Sequence, residues 1–148
     1  GRLTHLLDGC PYLGEGYLLA NNYNLLSTTR EGAPDGGFPV LKWIGYDHPM
    51  SGKVLGEIFV VDSVRLLGLD RVERNGEMYR RGKYWVKPYE QGKIQNKTIQ
   101  AVKCWTYVGI DAFWKNHRLW QLEPEYHATQ LNEPIRMHNF DVRQKRAA

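Results

Sequence analysis

Cysteine is scarce: Cys10 and Cys104 are the two in 148 residues, too few for a disulfide framework or for a zinc site built from thiolates. A reducing compartment suits so small a number. Long apolar runs are missing too. No window approaches the about 18 residues of a membrane-crossing helix, and the opening GRLTHLLDGC lacks the apolar core of a signal peptide. A cytoplasmic protein with no membrane partner is therefore expected. Charge of one sign does not dominate, because 20 Lys and Arg stand against 16 Asp and Glu, for a net charge of +4 and a pI near 9.1. The densest basic patches are residues 71–81, interrupted by two glutamates, and residues 143–146. Such runs read as solvated faces or tails, and nucleic acid is not an expected partner. His5, His48, His117, His127 and His138 show no pairing at zinc-site spacing, so no metal is expected. Neither a G-x-S-x-G elbow nor a P-loop motif occurs, which leaves an α/β-hydrolase and a P-loop nucleotide enzyme without support.

What remains is an ordinary globular composition, 42% hydrophobic and 24% charged, in a chain long enough for one compact unit. Short apolar or aromatic runs punctuated by glycine predict strands at about Tyr12 to Leu19, Tyr23 to Thr28, Val40 to Ile44, Val54 to Val61, Gly82 to Tyr89 and Thr98 to Val108. In the last of these Val102, Cys104, Thr106 and Val108 alternate with Ala101, Lys103, Trp105 and Tyr107, giving two chemically different faces. Cys104, inside that alternation, reads as a small buried hydrophobe and not as a nucleophile. The polar, turn-rich stretches 31–38 and 88–97 predict loops.

One early segment has helical pattern and helical punctuation. It runs from Ser63 to Glu73, with Asp62 or Ser63 as N-cap and Asn75 and Gly76 as the stop. At 3.6 residues per turn Glu73 falls above Leu66 and beside Leu69 and Asp70, so a carboxylate ends an apolar stripe. A weaker helix is expected from Asp111 to about Leu119. From Glu123 onward the chain has two prolines, few apolar residues and a basic end. The domain is accordingly drawn over residues 1–122, with 123–148 as a C-terminal arm or tail.

The block LDRVERNGEMYRR, Leu69 to Arg81, preceded by VLGEIFVVD, Val54 to Asp62, resembles the γ-glutamylcyclotransferase-like family, which includes the γ-glutamylamine cyclotransferases and the AIG2-like proteins. There a strand GEVY-x-V leads into a helix ending L-D-x-x-E, and a Y-x-R opens the next strand. This chain offers Gly56, Glu57, Ile58, Phe59 and Val61, then Leu69, Asp70 and Glu73, then Tyr79 and Arg81. Gly37, Phe38 and Pro39 are similar to the family's G-[YF]-P before a strand, and Gly1 to Leu7 to its G-x-x-x-H-x-x-L, with Gly1 and His5 in place and the leucine one position early. The agreement is co-linear over roughly residues 1 to 110. The family's opening strand, ending in YGTL or YGSL, has no counterpart in the sequence as given. That leaves a trimmed chain, a substitute cradle, or a protein that binds without cyclising.

The resemblance implies an α+β fold, a mixed β-barrel of about six strands with short flanking helices. It implies cyclotransfer: the free α-amine of a γ-glutamyl group attacks its own γ-carbonyl, releasing an amine and 5-oxoproline, with no cofactor. Glu73 matches the family's catalytic glutamate, and partial desolvation at the end of an apolar stripe suits a carboxyl that must move a proton. A glutamate among Arg71, Arg74, Arg80 and Arg81 can equally be a surface ion-pair partner. Asp70, Tyr79 and Arg81 are expected as structural support, and Gly37, Phe38, Pro39 and Tyr107 as substrate-binding positions. The partner is a small γ-glutamyl substrate or another small anionic ligand, with oligomeric state open. Two competing readings differ in class. One is a non-catalytic small-molecule-binding protein using the same pocket. The other is an interaction module presenting Trp43, Trp85, Trp105, Trp114 and Trp120 on its surface.

Overall fold

The computed structural model describes residues 6–30, 37–45, 54–89, 100–121 and 136–140. Residues 1–5 of the opening motif, 31–36 and 90–97 of the expected loops, 98–99 of the last expected strand, and 123–135 and 141–148 of the expected arm lie outside them. Among the described residues there are eight strands: β1 (Tyr12–Leu18), β2 (Tyr23–Ser27), β3 (Pro39–Trp43), β4 (Leu55–Val61), β5 (Tyr79–Tyr89), β6 (Val102–Gly109), β7 (Trp120–Gln121) and β8 (Arg136–Phe140). Two helices lie wholly within the described residues, α1 (Ser63–Val72) and α2 (Asp111–Trp114).

Five strands close a barrel in the order β1-β4-β8-β6-β5, with β5 pairing back onto β1, and β3-β2-β7 form a separate three-stranded sheet. The fold is α+β, as expected, but the barrel has five strands where about six were anticipated. The largest departure is β8. Residues 123–148 were assigned to an arm or tail, yet Arg136–Phe140 run parallel to β4 and meet β6 at Trp105↔His138. Successive side chains of a strand face opposite sides, so Met137 points into one core and His138 into the other, both with 0% exposure. Two prolines and a basic end hid a strand whose stability comes from the partners on either side.

Alternation sorts the barrel residues into two faces. Leu18, Ile58, Val86, Cys104 and Met137 come from all five strands and form the interior with Val54, joined by Leu25 and Leu41 of the second sheet. Gly16 is demanded by this packing, because a Cβ there would meet Val86 Cγ1 at 2.8 Å and Ile58 Cδ1 at 2.9 Å. The other core lies on the outer face, where Val61, Tyr79 and Tyr107 pack against Leu66 and Leu69 of α1 and against Trp114. Asp62 is the N-cap of α1, its carboxylate accepting from the Arg65 N–H at 2.8 Å. At the other end Glu73 is the C-cap, Arg74 enters the left-handed region at φ 51°, and Gly76 follows at φ 96°. The second helix stops at Trp114, short of the expected Leu119.

Candidate active site

The outer face of β5 and β6 carries the expected residues in register. Arg81 lies opposite Tyr107, Lys83 opposite Trp105, and Tyr79 opposite Gly109. The last turn of α1 lies over this face and lowers two carboxylates onto it. Asp70 Oδ1 accepts from the Tyr107 hydroxyl at 2.6 Å. The same oxygen lies 3.1 Å from Arg81 Nε, an ion-pair contact lacking the alignment of a hydrogen bond. Arg81 also stacks on Trp105, its guanidinium carbon 4.4 Å from the ring centroid. Asp70, Arg81 and Tyr107 therefore form one braced unit, and Asn75 Oδ1 accepts from the Arg81 N–H at 2.9 Å to fix the helix-to-strand turn to it.

Glu73 sits one turn beyond Asp70, half-buried. Its charge reaches both phenols of the site. Tyr79 and Tyr107 are pushed well above the usual tyrosine range, chiefly by burial. Glu73 adds to the shift in both, and Tyr107 is raised further by its bond to Asp70. Both hydroxyls thus stay protonated at any physiological pH. Tyr107 has a single proton and gives it to Asp70, so toward a further group its oxygen can only accept. Tyr79 directs its hydroxyl at the Pro39 carbonyl at 3.4 Å and sets its ring edge-on to Trp114 at 5.7 Å.

That contact ties the site to Gly37, Phe38 and Pro39, which lead into β3. Gly37 has φ 132°, and a Cβ there would fall 2.4 Å from Thr29 Oγ1. Only glycine fits that geometry. Phe38 accepts from the Thr28 N–H at its carbonyl, donates its own N–H to Thr28 Oγ1, and is 65% exposed, so of the three Pro39 is the one bonded directly to a tyrosine of the site, Tyr79.

The residues that sequence reasoning missed are on β8. His138 is fully buried, its ring edge-on to Tyr107 at 6.0 Å, and neither ring nitrogen has a hydrogen-bond partner. Burial, reinforced by the Arg136 and Arg81 guanidinium groups, pulls its pKa down to about 4, so the ring is neutral at pH 7. Arg136 pairs with Glu57 and lies over the Phe59 ring. The run RMHNF has no two-residue alternation of apolar and polar side chains, Met137 and Phe140 falling three apart, so no local signal was available for either. Burial pushes the Cys104 thiol up to about 12, which keeps it a protonated core group. Among the described residues no cluster of three His, Cys, Asp or Glu side chains is placed to hold a metal ion, and no helix is long and apolar enough to cross a membrane. Of the five tryptophans, Trp114 is buried, Trp105 and Trp120 are half-buried, and Trp43 and Trp85 are exposed.

No curated protein and no solved structure gives a match. The family model described as gamma-glutamyl cyclotransferase, AIG2-like, matches residues 2–129, a span that holds Asp70, Glu73, Tyr79, Arg81 and Tyr107. The chain belongs to the AIG2-like γ-glutamyl cyclotransferase family.

Proposed function

We propose that the protein is a γ-glutamyl cyclotransferase that releases 5-oxoproline and a free amine or amino acid, with Glu73 as general acid and base. The observation that carries this reading is the Glu73 carboxylate, half-buried at the end of α1 and close enough to Tyr79 and Tyr107 for its charge to be felt by both phenols. The reaction needs no protein nucleophile. The substrate's α-ammonium gives a proton to Glu73, and the freed amine attacks the γ-carbonyl carbon to close a five-membered ring. As the amide C–N bond breaks, the same carboxyl returns the proton to the departing nitrogen; a carboxylate again, it takes the second proton from the ring nitrogen and passes it to the released amine, which leaves as an ammonium. Holding amine and carbonyl in near-attack geometry supplies much of the acceleration, and a positioned proton shuttle typically adds about 10² to 10⁴ in rate. Asp70, Arg81 and Tyr107 act one layer behind, fixing the turn from which Glu73 projects.

The test is 5-oxoproline release from a panel of γ-glutamyl amines and amino acids, with Glu73→Gln alongside. Release that falls at least a hundredfold in the variant, at an unchanged melting temperature, is the expected result. No release by folded protein from any substrate would overturn the assignment and favour a protein that binds at the same site without turnover.

A further inference from the structure

Strands β5 and β6 carry Arg80, Arg81, Lys83, Lys87 and Lys103 and no Asp or Glu. Along the chain these cations are spaced out by other residues, and the pleat of the sheet gathers them. Tyr84, Val86, Val102 and Cys104 belong to the barrel interior, so Lys83, Trp85, Lys103 and Trp105 point outward. The register sets Lys83 opposite Trp105 and Lys103 opposite Trp85. Lysine and tryptophan therefore alternate along each strand and across the pair.

Neither lysine is neutralised. Both are exposed, and neither has a carboxylate in ion-pair range among the described residues. Each ammonium lies instead against an indole, Lys83 Nζ at 4.8 Å from the Trp105 centroid and Lys103 Nζ at 5.3 Å from that of Trp85. Trp105 is half-buried under Arg81, whereas Trp85 is 52% exposed. A flat apolar ring is thus presented with two unpaired cations beside it. Lys83 and Lys103 stand at diagonal positions of the antiparallel pair, about 7–8 Å apart along the backbone surface. From there one lysine can reach the phosphate on each side of a nucleotide stacked on Trp85.

Other anionic partners use less of this face. A duplex keeps its bases stacked on one another and offers Trp85 none. An acidic peptide supplies charge without a planar group. Insertion of Trp85 into a bilayer would draw the ammonium resting on its ring out of water, at a cost in free energy. Unpaired bases joined by phosphates match both the ring and the charges. We propose that the outward face of β5 and β6 is a docking surface for single-stranded nucleic acid, with Trp85 stacking on a base and Lys83 and Lys103 contacting the flanking phosphates. The inference does not draw on Glu73 and holds whether or not the chain turns over a γ-glutamyl substrate.

The test is fluorescence anisotropy of a labelled oligothymidylate of about a dozen nucleotides, titrated with the protein at several salt concentrations. The same strand in a duplex, heparin, and phosphatidylserine vesicles are run alongside. The expected result is preferential binding of the single strand, with a log–log salt slope of about −1.4, two phosphates at about −0.7 each. Trp85→Ala lowers affinity about tenfold, the effect of one lost base stack, and leaves the salt slope in place. Trp85→Tyr, which keeps a ring able to stack, retains most of the affinity. Lys83→Gln combined with Lys103→Gln brings the slope toward zero. All these side chains are exposed, so the melting temperatures stay near that of the unaltered protein. No binding of the single strand at low salt would overturn the proposal. So would duplex or heparin bound as tightly, binding confined to vesicles, or an affinity that Trp85→Ala leaves unchanged.

Discussion

Tyr107 and His138 show how much a single position on the outer face is asked to do. The Tyr107 hydroxyl makes a short bond to a carboxylate that is itself held by a guanidinium, and bonds to charged groups are worth about 1.5–3 kcal/mol. Tyr107→Phe should therefore lower unfolding free energy by about 2 kcal/mol in urea melts. A double-mutant cycle with Asp70→Asn should show that the two losses are coupled. His138 makes a prediction in pH. Its folded pKa lies below its ordinary value, so the unfolded chain takes up a proton that the folded chain refuses. The resulting stability is fully present above about pH 6.5 and is lost as pH falls toward about 4, by on the order of 3 kcal/mol over that window. His138→Phe should flatten the melting temperature between those limits. A variant that keeps the full acid slope would assign the slope to other groups. The buried cysteine, the close packing around Gly16 and the positive φ of Gly37 belong to the same scale, and of these the sequence displayed only the residue type.

At the scale of elements, α1 is where local signals and tertiary packing agree. Its cap, apolar stripe and stop lie within a dozen residues, so its limits were readable to within a residue or two. Leu66 and Leu69 fix its rotation on the barrel, and that rotation aims Asp70 at Tyr107 and brings Glu73 near both phenols. Leu69 is completely buried, and truncating such a leucine costs about 2–5 kcal/mol. Leu69→Ala should thus destabilise the fold by about 3 kcal/mol and depress 5-oxoproline release beyond what unfolding explains. Asp62→Ala, which removes the cap, should cost about 1 kcal/mol and leave the release rate of folded protein close to normal. Equal effects of the two substitutions on rate would argue that the helix contributes stability alone. Strand β8 is the opposite case. Five residues of mixed character carry no strong strand preference, and their conformation is set by pairing with β4 and β6.

For the whole molecule, β8 has the consequence that residues far beyond the expected domain limit complete the barrel. Removing residues 136–148 would expose the edges of β4 and β6 and delete both Met137 from the interior and His138 from the outer core. Unpaired edges invite association. The truncated protein should lose its cooperative thermal transition and run as aggregate on size exclusion, whereas a monomer with an unchanged melt would show that β8 is dispensable. Trp43 and Trp85 remain exposed, but the other three tryptophans are drawn into the fold, which weakens the reading of a broad aromatic docking face. Properties carried by neighbours in the chain were open to reading in advance: the two-residue alternation of β6, the cap and stripe of α1, and the spacing of Leu69, Asp70, Glu73, Tyr79 and Arg81 that marks the family. Others depend on segments far apart in the chain and had no local signature. These include the barrel order, the parallel seating of β8, the hydroxyl of Tyr107 on Asp70, and the burial of an unpartnered histidine beside them. Hydrophobic period and capping are decided within a few residues. Strand partners and the company a buried polar group keeps are decided only when the sheet closes.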